Sequence, residues 1–234
     1  MLKRIGILGG LTPESTVTYY QHIVHAWQQR HHDHRYPEIV IYSVSFQQFE
    51  NWMEAGDWDA IGDALADGIG RLAAAGADFA VMATNTMHLL FDRLQAGSPI
   101  PLLSIVDATA ASIREAGLAT VGLLGTRFTM EEPFYAEGLR RHGIATLVPT
   151  EAERLDIHRV IMDELSMGRL RDASRARYLE IIAALTARGA QGIVLGCTEI
   201  PLLVTPAHTP APLFDTAVLH AEAALAFSQA PSGS

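Results

Sequence analysis

Cysteine is almost missing from this chain: its 234 residues contain one, Cys197. A single thiol excludes an internal disulfide framework and fits a reducing compartment. Basic side chains are also scarce, 17 Lys and Arg against 26 Asp and Glu, for a net charge of −9. That balance argues against nucleic acid and against an anionic membrane as partners. Long apolar runs are lacking too. Met1-Leu2-Lys3-Arg4 leads into Ile5-Gly6-Ile7-Leu8-Gly9-Gly10, far too short for a signal core or a membrane span. A soluble, cytoplasmic protein is expected. The glycines of that run, Gly6-x-x-Gly9-Gly10, lack the G-x-G-x-x-G spacing of a dinucleotide fingerprint.

What is present is ample material for a core: 49% hydrophobic residues with 18% charged. The length fits one large domain or two lobes of about 100 residues each. Short apolar strands alternate with helical stretches, which implies βαβ units on mainly parallel sheets. Strands are expected at Ile5–Leu8, Glu38–Val44, Ala77–Met82, Pro101–Val106, Thr120–Leu124, Ile144–Val148, Gly192–Leu195 and Leu213–Asp215. Helices are expected from Pro13 to about Arg30, Asp57–Ala75, Thr86–Gln95, Asp107–Glu115, Phe128–Arg141, Glu151–Ser166, Asp172–Arg188 and after Asp215. The tail from Gln229 to Ser234 reads as a frayed end.

The plan occurs twice. Gly6-Ile7-Leu8-Gly9-Gly10 matches Gly122-Leu123-Leu124-Gly125-Thr126, and 74 residues separate Gly10 from Thr84 as 71 separate Thr126 from Cys197. Proline-flanked strands ending in aspartate follow each, at Ile105-Val106-Asp107 and Leu213-Phe214-Asp215. The expected fold is therefore α/β: two pseudo-symmetric lobes, each a mainly parallel sheet flanked by helices, with the active site in the cleft between them. Residues 1–100 plus 206–234 would form lobe one and residues 101–205 lobe two. Ligands of open α/β sheets bind beyond the C-terminal strand ends, where Thr84 and Cys197 fall.

Cys197 follows the apolar run Ile193-Val194-Leu195-Gly196, and Thr198 and Glu199 suit the opening of a helix or turn. Free N–H groups at such an opening would lower the thiol pKa and enrich the reactive thiolate. The competing reading is a small buried hydrophobe.

At these residues the sequence resembles the aspartate/glutamate racemase family. The matching stretches are Ile5-Gly6-Ile7-Leu8-Gly9-Gly10, Thr84-Asn85-Thr86-Met87-His88 and Gly196-Cys197-Thr198-Glu199-Ile200. With the Asp107 and Asp215 strands, the likeness covers nearly the whole chain. It implies a cofactor-independent amino-acid racemase, an isomerase using neither pyridoxal phosphate nor a metal. In that family two cysteines flank the substrate α-carbon. Here the first is replaced by Thr84, as in one branch of the family. The implied catalyst is asymmetric, with Cys197 as base and Thr84 on the opposite face, because a hydroxyl is a far weaker acid than a thiol.

A developing carbanion needs donors at the α-carboxylate. Asn85, Thr86 and Thr198 are the candidates, with Thr12 and Thr126 behind them, each of which could instead be an ordinary helix cap. His88, four residues after Thr84, is open to two readings, proton relay or scaffold. Family members specific for acidic substrates carry basic residues at the places of Ser45-Phe46-Gln47-Gln48 and Glu164-Leu165-Ser166-Met167-Gly168. Neither place has one here, so Gln47 is the substrate-binding candidate there, and the expected range is aspartate and glutamate or broader, neutral amino acids included. The partner is thus a small amino acid or carboxylic acid, and a homodimer is the expected assembly.

Other signals are set aside. His31-His32-Asp33-His34 lacks the spacing to converge on a metal. Arg169, Arg171, Arg175 and Arg177 read as a solvated helix face. Trp27, Trp52 and Trp58 read as core or dimer contacts. The alternatives to racemisation are an arylmalonate-decarboxylase-like or maleate-isomerase-like enzyme, and a non-catalytic binder of small acids.

Overall fold

The strand Ile5–Gly9 (β1) is buried along its whole length, as happens only to a strand inside a sheet covered on both faces. The computed structural model, which describes residues 2–231, builds two such sheets. Its chain divides into two compact units, residues 1–105 with 220–234, and residues 106–219.

In unit one, β1 is followed by α1 (Pro13–His31), β2 (Ile39–Ser43), α2 (Phe46–Ala55) and α3 (Trp58–Ala74). Then come β3 (Phe79–Met82), a 3-10 turn at Thr86–Leu90, α4 (Phe91–Gly97) and the two-residue β4 (Leu102–Leu103). The strands are parallel in the order β2-β1-β3-β4. Leu8 and Met82 pack with Ile61, Leu65, Ile69 and Leu72 of α3 in its core.

The chain leaves this unit at the start of α5 (Ile105–Glu115). Unit two contains β5 (Thr120–Gly125), α6 (Arg127–Glu131), α7 (Pro133–Arg141), β6 (Ala145–Leu147) and α8 (Glu151–Asp163). A 3-10 turn at Leu165–Met167, α9 (Asp172–Ala187), β7 (Gly192–Gly196), α10 (Ile200–Leu203) and β8 (Leu213–Asp215) follow. The order β6-β5-β7-β8 repeats that of unit one strand for strand, again all parallel. The internal repeat is thus a repeat of topology. Within α11 (Thr216–Gln229) the chain returns to unit one at His220.

That return comes later than residue 206. β8 is hydrogen-bonded to β7, so residues 206–219 stay with unit two, while β4 pairs with β3 and keeps residues 101–105 in unit one. Other differences have local causes. Phe46–Ala55 is helical, with Phe46, Phe49, Trp52 and Met53 at helical spacing and Gly56 closing it at φ 70°. The helix expected over Phe128–Arg141 is two, because Glu132 precedes Pro133 and is extended at ψ 143°. Pro101 has no N–H to give a ladder, β4 is short, and α5 starts at Ile105, which puts Asp107 in its first turn.

Asp33 of the His31–His34 segment accepts from the Trp27 indole at 2.8 Å and from Arg35. Among the described residues no helix is long and apolar enough to cross a membrane. Residues 232–234 of the tail lie outside the described residues.

Candidate active site

In unit one the turn after β1 is fixed by glycine. Gly10 has φ +85°, and a Cβ there would lie 2.2 Å from the Val44 carbonyl oxygen. Its N–H donates to Thr16 Oγ1 at 2.8 Å, and that hydroxyl donates to the Thr12 carbonyl at 3.2 Å. Thr12 stands at the N-cap of α1 with Pro13 behind it, but its side chain meets Ser15 Oγ at 3.0 Å instead of capping the helix. Thr84, Asn85 and Thr86 sit just past the C-terminal end of β3, all three buried. The N–H of Ala83 donates to the Leu8 carbonyl at 2.9 Å, holding this turn beside the end of β1. Thr12, Thr84, Asn85 and Thr86 therefore gather at one sheet edge.

His88 fastens the same turn. The Ile105 N–H donates to His88 Nε2 at 3.1 Å, so Nδ1 carries the ring proton and donates to the Thr84 carbonyl at 2.8 Å. The ring stacks on Phe91 and meets His220 edge-on. His220 is wholly buried, donating from Nε2 to the Leu103 carbonyl and accepting the Tyr19 hydroxyl at Nδ1, 2.8 Å away. Burial first, and His88 second, hold its pKa down to about 3. These contacts tie the backbone under Thr84 to β4 and α11.

In unit two the equivalent edge carries Cys197, one residue beyond β7. Its Sγ–H donates to Glu199 Oε2 at 2.9 Å, and the Thr198 hydroxyl donates to the same oxygen at 3.0 Å. Cys197 is 8% exposed and Glu199 3%. Burial pushes the thiol well above its ordinary pKa, and the Glu199 carboxylate pushes it further. The expected lowering is overturned. The N–H groups of Thr198 and Glu199 do pull the thiol down, but α10 has only four residues, and desolvation with an adjacent anion outweighs them. Thr126 caps α6, its Oγ1 accepting from the Thr129 N–H at 3.3 Å and meeting Thr129 Oγ1 at 3.2 Å.

Both units thus end their central strands in the same kind of turn, one presenting a hydroxyl and the other a thiol. A family model described as Asp/Glu/Hydantoin racemase matches residues 8–224. The chain belongs to this family.

Its curated relatives include the broad specificity amino-acid racemase RacX of Bacillus subtilis, 30% identical over 142 residues. That alignment covers 59% of this chain and 61% of RacX, so the match spans about three fifths of that relative's length. Among solved structures, a proposed Asp/Glu racemase from Yersinia pestis is 39% identical with a TM-score of 0.90, covering 98% of this chain and all of the other. An aspartate racemase homologue from Pyrococcus horikoshii is 33% identical, with a TM-score of 0.85 and the same coverage.

The two places expected to meet the substrate side chain carry Gln47 and Glu164. Gln47 is exposed on α2, and its amide donates along its own helix to Glu50 and Asn51, each at 3.1 Å. Glu164 is buried, accepts the Ser174 hydroxyl at 2.6 Å, and draws Arg159 and Arg171 to 3.4 and 3.7 Å. Arg171, its side chain 61% exposed as a solvated face requires, also reaches this buried carboxylate. Arg175 donates to the Leu203 carbonyl at 2.8 Å, and Arg177 pairs with Asp156 and Glu180.

Sequence reading missed the partner of the thiol. Glu199 lies inside the quoted motif, where it reads as a helix opener; its spacing of two from Cys197 was the available signal. Tyr178 was missed as well. This buried α9 side chain donates to the Ile157 carbonyl at 3.1 Å and lies in the electrostatic field of both Cys197 and Glu164.

Proposed function

We propose that the protein is a cofactor-independent amino-acid racemase in which Cys197 removes the α-proton and Thr84 serves the opposite face of the same carbon. The observation that carries this reading is the buried thiol at the end of β7, bonded to a buried carboxylate, with a buried threonine at the topologically equivalent end of β3. Family membership supports it. Backbone and side-chain donors of Asn85, Thr86 and Thr198 suit the α-carboxylate, whose charge must be held while the carbanion exists. His88 is a scaffold in this reading, since both ring nitrogens are engaged by backbone.

The substrate range is neutral or broad. Arg159 and Arg171 pair with Glu164, and Gln47 is turned along its own helix, which favours side chains that need no guanidinium partner. The broad specificity of the Bacillus subtilis relative agrees with this.

The test is solvent exchange. L- and D-amino acids incubated with the enzyme in D2O should gain deuterium at the α-carbon, faster from one enantiomer than from the other. Cys197→Ala should reduce exchange to background. Thr84→Cys should speed the slower direction by tenfold or more, because a thiol is several pKa units more acidic than a hydroxyl. Absence of exchange with every amino acid tried would remove the racemase reading.

A further inference from the structure

We propose that His88 aims the Thr84 hydroxyl, and so decides how often the carbanion is protonated with inversion instead of regaining its starting configuration. This rests on the racemase reading and deepens it by naming the group that gives Thr84 its direction. His88 touches no reacting atom in this scheme; it is a positioning residue.

The backbone of Thr84 is held at both ends. Its N–H donates to the Met82 carbonyl at 2.8 Å, and its C=O accepts from His88 Nδ1 at 2.8 Å. A β-branched side chain has few χ1 choices, so fixing the peptides on both sides confines Oγ1 to a small set of directions. The His88 ring has little freedom of its own. It is 3% exposed, accepts the Ile105 N–H at Nε2, lies flat on Phe91 and meets His220 edge-on. His220 is fixed in turn by the Leu103 carbonyl and the Tyr19 hydroxyl. Thr84 thus takes its direction from β4, α1 and α11 as well as from its own short turn.

The thiol turn is built otherwise. Four places after Cys197 stands Pro201, which has no side-chain donor, and the Cys197 carbonyl accepts from backbone, the Ile200 N–H at 3.2 Å. The histidine clamp therefore sits on whichever of the two equivalent turns carries the weaker acid. Aim matters most there, because a weak acid delivers a proton only from close hydrogen-bond geometry.

The step balances. The Cys197 thiolate takes the α-hydrogen as a proton, forming S–H and leaving the C–H electron pair on carbon. In D2O that S–H becomes S–D. The carbanion then has two fates. It takes the deuteron from sulfur, giving labelled substrate of retained configuration, or it takes the Thr84 deuteron, giving labelled product of inverted configuration while solvent re-deuterates the oxygen. The ratio of inverted to retained label reports how well Thr84 competes with sulfur.

Two variants separate the two bonds of His88. Asparagine has an amide at the place of Nδ1 and nothing at that of Nε2, whereas glutamine has its amide at the place of Nε2 and none at Nδ1. The amino acid that the wild type exchanges fastest is incubated in D2O as its faster enantiomer. Label and configuration are read at early times by chiral separation and mass spectrometry. His88→Gln should lower the ratio about tenfold, while His88→Asn should stay within about threefold of the wild type. A merely structural role would slow both fates together and leave the ratio in place. A wild-type ratio in His88→Gln overturns the proposal, and so does an equal loss in both variants. Should one variant fail to fold, the other decides: a ratio lost with glutamine or kept with asparagine sustains the proposal, and the reverse overturns it. A wild type that labels no amino acid removes the racemase reading and this proposal together, an outcome distinct from an active enzyme whose ratio ignores His88.

Discussion

Replacing His220 with glutamine takes one proton-binding site out of unit one while keeping a side-chain amide that can donate to the Leu103 carbonyl. The native ring is wholly buried, and its pKa is about 3 against an ordinary 6.5. On unfolding it would take up a proton near pH 6.5, whereas the folded ring refuses one until about pH 3. Between those values the unfolded chain binds more protons, so stability falls as pH falls, by about 1.4 kcal/mol per unit. Going from about pH 7.5 to about pH 5 crosses roughly 1.5 of those units, and the wild type should lose about 2 kcal/mol through this residue alone. Urea unfolding at both pH values, on wild type and His220→Gln, isolates the effect. The variant should lose about 2 kcal/mol less than the wild type over the same interval. His158, also held below its ordinary pKa by burial, contributes with the same sign to both proteins and cancels. If both proteins lose the same amount, His220 is not a buried neutral ring and the packing argument beneath Thr84 is wrong.

The remaining expectations concern single contacts. Gly10→Ala forces a Cβ to 2.2 Å from the Val44 carbonyl at a positive φ, and should lower unfolding free energy by about 3 kcal/mol or more, read from the urea midpoint. Ser174→Ala removes a 2.6 Å donor from the buried Glu164 carboxylate and should cost about 2 kcal/mol by the same measurement.

Much of the architecture was legible because a parallel sheet writes itself plainly. Buried strands such as Ile5–Gly9 and Gly192–Gly196 are continuous apolar runs, and the duplicated spacing from Gly10 to Thr84 and from Thr126 to Cys197 announced the duplicated topology. The break at Glu132 is signalled by Pro133. α2 is harder to see because polar Gln47, Gln48, Glu50 and Asn51 interrupt the helical stripe of Phe46, Phe49 and Met53. The thiol's environment was the least legible part. A local reading of Cys197-Thr198-Glu199 sees backbone donors and infers a low pKa. It does not see that the helix behind them is one turn long, nor that the glutamate folds back onto the sulfur. His220, on the last helix, contacts Tyr19 and Leu103 across 201 and 117 residues, and no pattern in the sequence joins them.

The late return of the chain at His220 has a consequence for biosynthesis. Unit two is one uninterrupted stretch, residues 106–219, whereas unit one needs residues from both ends. On a ribosome the second unit can therefore complete itself first, although it is made later than most of the first. Nascent unit one waits, with Tyr19 and the Leu103 carbonyl lacking their histidine, until the final helix emerges. Premature termination before that helix would release a chain with one half finished and the other open at its centre.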